Sequence, residues 1–361
     1  MFERLLVLAT LGLPVCGPPA THDVPPVDAA PKRPPESAPT PGWLKGQLHL
    51  HSDASGDSQT PAADVARWYA ERGYDFIVFT DHNRITMGPA VDEMLVLPGV
   101  EITQNLARCS PSPAPGHQCL FHVNALAVDP ARGPAAARLA PPTSGDRVSH
   151  YAHAVDVTRA LGGVAQLNHP NFHYGANADQ IRELTRRGLV LFEVANEAWD
   201  SNNEGDARHP STVEIWDAVL TDGGRLYGTA TDDAHHYDDA ARLRVRGEPV
   251  FTGDRGFVMV RAERDPDAIR EALARGDFYA STGVRLRDVA FADGVLEVAV
   301  DSEASNEIVF IVEGGVVAHR AQGSSARFDA GGHTYVRATV TAPDGSRAWV
   351  QPHFLGEPAA L

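Results

Sequence analysis

The sequence predicts an α/β fold, a parallel barrel of about seven strands followed by a small β-sandwich, and three observations carry that prediction. From residue 43 to about 282, short apolar runs alternate with helical patterns. From Arg285 onward the helical patterns stop, and short alternating runs between Gly, Asp and Ser turns take over. Within the first part, His, Asp and Glu recur at or beside the ends of the strand-like runs, where barrel enzymes carry their chemistry.

Residues 46–51 read as the first strand. A helix over 60–73 follows: Thr60 suits the N-cap, Pro61 the first turn and Gly73 the stop, while Ala62, Val65, Ala66 and Tyr69 share one face. Phe76-Ile77-Val78-Phe79 is the continuous apolar run of a strand buried on both faces. Further strands are expected over 95–102, 123–128, 164–167, 189–195 and 226–230, with helices over 147–161, 178–187 and 212–221. The C-terminal strands are expected over 296–300, 308–312, 335–340 and 348–351, with a turn at Pro343-Asp344-Gly345. That region carries no candidate site, and packing or partner docking is its expected role.

The chain begins with Met-Phe-Glu-Arg and an apolar run from Leu5 to Val15, the length of a signal-peptide core and too short to span a bilayer. Cys16 follows Leu13-Pro14-Val15 in the position of a bacterial lipoprotein box, although proline and valine depart from its usual small residues. The expected organisation is a signal peptide over 1–16 with Cys16 as candidate lipid anchor, a proline-rich tether over 17–42, the barrel over 43–284 and the β-sandwich over 285–361. Such a protein would be exported, to the periplasm or to the outer membrane as a lipoprotein of a bacterium. In that oxidising setting Cys109 and Cys119, which bracket a proline-rich loop, would close a small disulfide; as zinc ligands they lack partners at short spacing. A formal net charge of −16 opposes binding to a polyphosphate backbone, so a nucleic-acid partner is not expected.

Nine residues stand out as candidate ligands: His49, His51, Asp57, His82, Glu101, His122, His169, Asp233 and His235. Imidazole and carboxylate hold catalytic divalent metals. His49-Leu50-His51 puts two imidazoles on one face of a strand, and Asp233-Ala234-His235 repeats the spacing at the last barrel strand. Asp57 lies in a loop within reach of the first pair, and Glu101 ends a strand-like segment, where a carboxylate can bridge two cations. Singly, His122 and His169 would more often be core or surface histidines, and His122 departs from the rule by standing at the start of its run. Asp232 and His236 compete with their neighbours for the same roles. Taken together, the nine point to a multinuclear metal site for hydrolysis.

The ordered motifs HLHSDASGD, FTDHN, PGVE, FHVN, NHP and TDDAH resemble those of the polymerase-and-histidinol-phosphatase (PHP) metallohydrolases over residues 43–284. The resemblance implies a distorted seven-stranded (β/α)7 TIM-like barrel holding two or three divalent metals (zinc, manganese or iron). It places His49, His51, Glu101 and Asp233 on one metal, Asp57, His82 and His235 on a second, and Glu101, His122 and His169 on a third. Asp57 occupies a position where some members have histidine. A narrower likeness, to the exported CehA/McbA branch, rests on the N-terminus, the Glu193-Val194-Ala195-Asn196 strand end and IREALARGDFYASTG over 269–283.

The implied activity is hydrolysis of small phosphomonoesters by a metal-activated hydroxide. Ester, carbamate or amide hydrolysis is the second reading, prompted by the narrower likeness and by the scarcity of Arg and Lys near the motifs. A non-catalytic exported metal-binding or recognition module is the third. Asp81 and Asn168 are candidates for orienting ligand histidines, and Arg84 and His173 for holding a phosphate or protonating a leaving group.

Overall fold

The computed structural model describes residues 42–132 and 145–356. The features expected of residues 1–16, Cys16 among them, and nearly all of the proline-rich stretch 17–42 lie outside the described residues. The first ten strands are β1 (Trp43–Gln47), β2 (Phe76–Val78), β3 (Leu95–Leu97), β4 (Val100–Leu106), β5 (Cys119–Leu126), β6 (Val164–Leu167), β7 (Leu191–Asn196), β8 (Tyr227–Thr231), β9 (Phe257–Arg261) and β10 (Phe278–Ser281). Seven more follow: β11 (Leu286–Ala292), β12 (Val295–Val300), β13 (Asn306–Val312), β14 (Val316–Gly323), β15 (Ser325–Asp329), β16 (Tyr335–Thr341) and β17 (Arg347–Phe354).

The fold is mixed α/β, and among the described residues the strands do not close into one barrel ladder. They form a five-stranded sheet, β4-β5-β6-β7-β8, a nine-stranded sheet, β14-β13-β16-β17-β10-β9-β1-β2-β3, and a three-stranded sheet, β11-β12-β15. The first two meet through isolated parallel bridges, His82 to Glu101 and Leu50 to Ala234. Both bridges lie within the candidate-ligand motifs, so the seams between sheets fall at the site.

One seam has a local cause. Residues 95–102, expected as a single strand, are two strands in different sheets, broken at Pro98-Gly99. Proline has no N–H to continue a ladder. A Cβ on Gly99 would sit 2.6 Å from the Phe79 carbonyl oxygen and 2.9 Å from that of Ala125, so only glycine permits this approach of three backbones.

The expectation of parallel strands also needs correction. Strand β5 runs antiparallel to both β4 and β6. Its early residues therefore lie beside the C-terminal end of β6, where Val123 faces Leu167 and the Asn168 N–H donates to the His122 carbonyl. That reversal explains why His122 stands near the start of its run and still reaches the site.

Helices cover the sheets where apolar periodicity placed them. The first spans Ala62–Ala70 and buries Val65, Ala66, Trp68 and Tyr69; Pro61 occupies its N-cap position, so Thr60 provides no cap. Helix Thr212–Thr221 starts from a capping box in which Ser211 and Glu214 satisfy each other's backbone N–H groups.

From Leu286 onward the described residues are β apart from one 3-10 turn, Glu313–Gly315. Leu296 and Val298 of the three-stranded sheet join Ile308, Phe310, Val336 and Val350 of the nine-stranded sheet in one apolar cluster. The latter sheet is shared: β17 pairs with β10 through Tyr279–Val350, Ala280–Trp349 and Ser281–Ala348, and β10 pairs with β9. The pairing binds the C-terminal strands to the strands that lead into the site.

Candidate metal centre

The first two histidines follow β1 directly, and Leu48 and Leu50, alternating with them, are fully buried in the core. His82 follows β2, Glu101 lies in β4, His122 in β5, His169 just past β6, and Asp233 and His235 just past β8. His169 and Asp233 adopt positive φ, 24° and 50°, a region that costs free energy for non-glycine residues and persists where the surroundings enforce it.

Most of these imidazoles have one ring nitrogen held by the protein. His49 Nδ1 lies 2.6 Å from Glu193 Oε1, His51 Nδ1 2.9 Å from Ser55 Oγ, and His82 Nδ1 2.7 Å from Thr103 Oγ1. His122 uses Nε2 on Asn105 Oδ1 at 2.9 Å, and His235 uses Nδ1 on the Asp233 carbonyl at 2.9 Å. Their other nitrogens face carboxylates. His82 Nε2 and His235 Nε2 lie 3.0 and 3.2 Å from Asp57 Oδ2, and His49 Nε2 and His51 Nε2 lie 3.1 and 3.2 Å from Asp233 Oδ1. His122 Nδ1 lies 3.0 Å from Glu101 Oε1. One nitrogen fixed and the other turned inward is how metal-ligating histidines are held.

The structure thus brings all nine candidates together. The ligand atoms of eight form three overlapping groups, each with its atoms within 4.8 Å of one another: His51, Asp57, His82 and His235; His49, Glu101 and His169; and His49, His51 and Asp233. The grouping differs from the one implied by the family resemblance. His51 joins the Asp57 group, and His49 rather than His122 accompanies Glu101 and His169. His122 reaches the cluster through its contact with Glu101.

Two atoms test whether these residues fit a cation. His49 Nε2 and Glu101 Oε2 are buried side-chain atoms without a hydrogen-bond partner, although His49 Nε2 is 3.1 Å from Asp233 Oδ1 and Glu101 Oε2 is 2.7 Å from His82 Nδ1. The short contacts lack hydrogen-bond alignment. An unpartnered buried polar atom is costly, and cations held in the cluster would give each of them a partner. The mixed imidazole and carboxylate donor set suits zinc, manganese or iron.

Electrostatics agree with the geometry. Burial opposes charge on Glu101 and Asp233, yet the surrounding imidazoles outweigh it and hold both carboxyls well below the usual range. Burial likewise opposes charge on His82, but Glu101 and Asp57 raise its pKa to about 11. His51 goes the other way, to about 4, because burial and neighbouring His235 disfavour a second positive charge. The carboxylates therefore create a field that wants cations.

Around this cluster lies a cavity of about 260 Å³, walled by Phe172, Ala198 and Phe251 beside the polar residues. Neither Arg nor Lys lines it among the described residues. Arg84 is exposed and absent from its lining, and His173 faces a separate cleft, where its Nδ1 accepts from the Gln118 N–H. Asp81 does not orient a histidine; it accepts from the Ser52 N–H and hydroxyl at 2.6 and 2.8 Å and so shapes the turn after His51. Asn168 donates to Glu101 Oε1 and Asn124 Oδ1, both at 2.9 Å, and thereby orients a carboxylate instead of an imidazole. Asp232 faces away, receiving Gln47, Tyr69 and the N–H groups of Asp254, Arg255 and Gly256. His236 lines the rim, where its Nδ1 accepts from the Phe251 N–H.

The residue that motif reading placed only as a strand end is Glu193. It is fully buried and holds His49 Nδ1, the His169 N–H at 2.6 Å, Thr231 Oγ1 at 2.7 Å and Asn196 Nδ2 at 2.8 Å. Its signal was present, an acid inside the apolar run 189–195.

No family model matches the chain. No curated protein matches it either. Among solved structures, a Bifidobacterium adolescentis protein proposed to be a metal-dependent phosphoesterase aligns at 15% identity and a TM-score of 0.40, over 64% of this chain and 96% of that one. An amidohydrolase from Chromobacterium violaceum, with bound sulfate and no metal, aligns at 20% identity and a TM-score of 0.36, over 53% of this chain and 87% of that one.

Proposed function

We propose that this chain is a multinuclear-metal-dependent hydrolase of small phosphomonoesters. The observation that carries the reading is the convergence of nine imidazole and carboxylate side chains on one cluster, seven of them lining the cavity, with His49 Nε2 and Glu101 Oε2 buried and unpartnered. The three groups described above would hold two or three divalent cations, with His122 beside them on Glu101. Such cations, when bound, polarise a phosphoryl or carbonyl oxygen and lower the pKa of water. The chain itself supplies orientation and shielding. Glu193, Ser55, Thr103 and Asn105 fix the imidazoles, Asn168 fixes Glu101, and Phe172 and Phe251 keep one side of the cavity apolar.

A second reading, hydrolysis of a neutral ester, carbamate or amide, is favoured by one observation. No cationic side chain lines the cavity among the described residues, whereas phosphate sites often add an Arg or Lys clamp. The disulfide between Cys109 and Cys119 supports an oxidising, exported setting for either activity. Metal content of the purified protein, measured with turnover of p-nitrophenyl phosphate and a p-nitrophenyl carboxylic ester, separates the readings. Two or three metals with phosphate release support the first, and ester cleavage alone supports the second. Absence of metal after reconstitution overturns both.

A further inference from the structure

Hydrolysis needs a proton for the departing group as well as an attacking water, and the nine clustered residues are committed to one another. Four residues that line the cavity outside the cluster can be set aside. Phe172, Ala198 and Phe251 carry no exchangeable side-chain proton, and the Ser201 hydroxyl is engaged with the carbonyls of Asn196 and Ala198 at 2.6 and 2.8 Å. His236 Nδ1 accepts the Phe251 N–H, which holds the ring as the neutral Nε2–H imidazole, a far weaker acid than a carboxyl group. The remaining group is Asp200, whose carboxyl makes no hydrogen bond or ion pair with another described residue.

Asp200 sits on the turn after β7, and that turn is tied directly to the cluster. Asn196 accepts the Ala198 N–H on its side chain at 2.9 Å, and its carbonyl receives Ser201 Oγ at 2.6 Å and Asn203 Nδ2 at 2.8 Å. The Asn196 amide also donates to Glu193 Oε2 at 2.8 Å and to Asp233 Oδ2 at 3.3 Å. One asparagine therefore sets both the candidate ligand Asp233 and the loop that presents Asp200. Burial and the nearby charge of Asp233 raise the Asp200 pKa above the usual carboxylate value, which favours the protonated form.

We propose that Asp200 is the catalytic residue that delivers a proton to the leaving group, a role that rests on the hydrolase reading above. The bond from phosphorus, or from the acyl carbon, to the leaving oxygen breaks. Its electron pair passes to that oxygen, which takes the Asp200 carboxyl proton and departs as an alcohol. Water supplies the new oxygen and releases a proton to solvent, from which the Asp200 carboxylate is reprotonated through the open cavity.

The test pairs a substrate that needs such a proton with one that does not. Metal-loaded wild type and D200N are assayed on p-nitrophenyl phosphate, whose leaving group departs as an anion, and on an alkyl phosphate, with the corresponding carboxylic esters run alongside. Expected is an unchanged metal content, a kcat loss on the p-nitrophenyl substrate of less than about tenfold, and a loss on the alkyl substrate of about 10²–10⁴-fold. Equal losses on both substrates, or loss of metal from D200N, overturn the assignment while leaving the hydrolase reading intact. A metal-loaded wild type that turns over neither substrate class overturns the hydrolase reading, and the proposal with it.

Discussion

Charge is buried in two places in this molecule, and the two places treat it differently. At the junction between helix Thr212–Thr221 and the C-terminal sheet, Asp217 accepts Arg337 Nε and Nη2 at 2.7 and 2.6 Å and the Tyr335 hydroxyl at 3.3 Å. Arg337 spends its remaining capacity on Thr339 Oγ1 at 3.2 Å and on the Trp216 ring, 4.9 Å away. Each guanidinium nitrogen thus has a partner within the protein. In the candidate metal centre the acids and imidazoles lie equally close, but His49 Nε2 and Glu101 Oε2 remain unpartnered. A saturated buried pair holds elements together, whereas an unsaturated one is shaped for something that arrives later. Asp232 and Asp233 show the same contrast at adjacent positions, the first filled by five donors and the second turned to the cavity.

The contrast breaks most clearly at Glu101. Glu101→Gln is expected to lower metal content and to reduce turnover by more than about a thousandfold, on the order of 4 kcal/mol of transition-state stabilisation. Metal analysis and kcat/KM on the same preparation check it; full metal with full turnover would remove Glu101 from the site. Arg337→Ala should do the reverse. Removing one partner of a buried pair costs about 3–5 kcal/mol of stability, so urea unfolding should shift strongly while the folded fraction keeps its metals. Glu193→Gln should fall between the two, weakening metal affinity about 10–100-fold through the orientation of His49; competition with a chelator measures it.

The smallest effect sharpens the junction side of the comparison. Burial opposes charge on Glu313, but the Thr334 N–H and His333 lower its pKa to about 2. A depressed carboxyl pKa contributes stability above the unfolded value, about 4.3, and loses it as pH falls through the folded value. Because this group is partly exposed and its partners are screened by solvent, Glu313→Gln should cost less than about 1 kcal/mol at pH 7, and the cost should fade as pH drops toward and below the folded value. Unfolding curves at neutral and at acid pH check the sign.

The sequence was most legible where periodicity and chemistry coincide. Strand-end positions of His49, His51, His82, His169, Asp233 and His235 follow from apolar runs that bury one face and stop. Less legible was anything set by contact across the chain. Nothing local announces that β5 runs backward, that 98–99 splits one apolar run between two sheets, or that β17 docks on β10. Glu193 was visible as an acid in an apolar run, but its role depends on His49, 144 residues away. Asp200 left no signal, since a lone acid on a loop resembles every solvated acid.

The pairing of β17 with β10 bears on how the protein can be cut. A boundary drawn at residue 284, where the composition changes, would release β17 and strip β10 of the partner that covers Tyr279 to Ser281. It would also free the Gly228 N–H and carbonyl, both held at 2.8 Å by Gln351 beside the strand that leads to Asp233. A truncated chain would thus expose a bare strand edge, the kind of surface that recruits other chains into aggregates. For production, crystallisation or display of this protein, the C-terminal strands belong with the candidate metal centre and are not a removable tail.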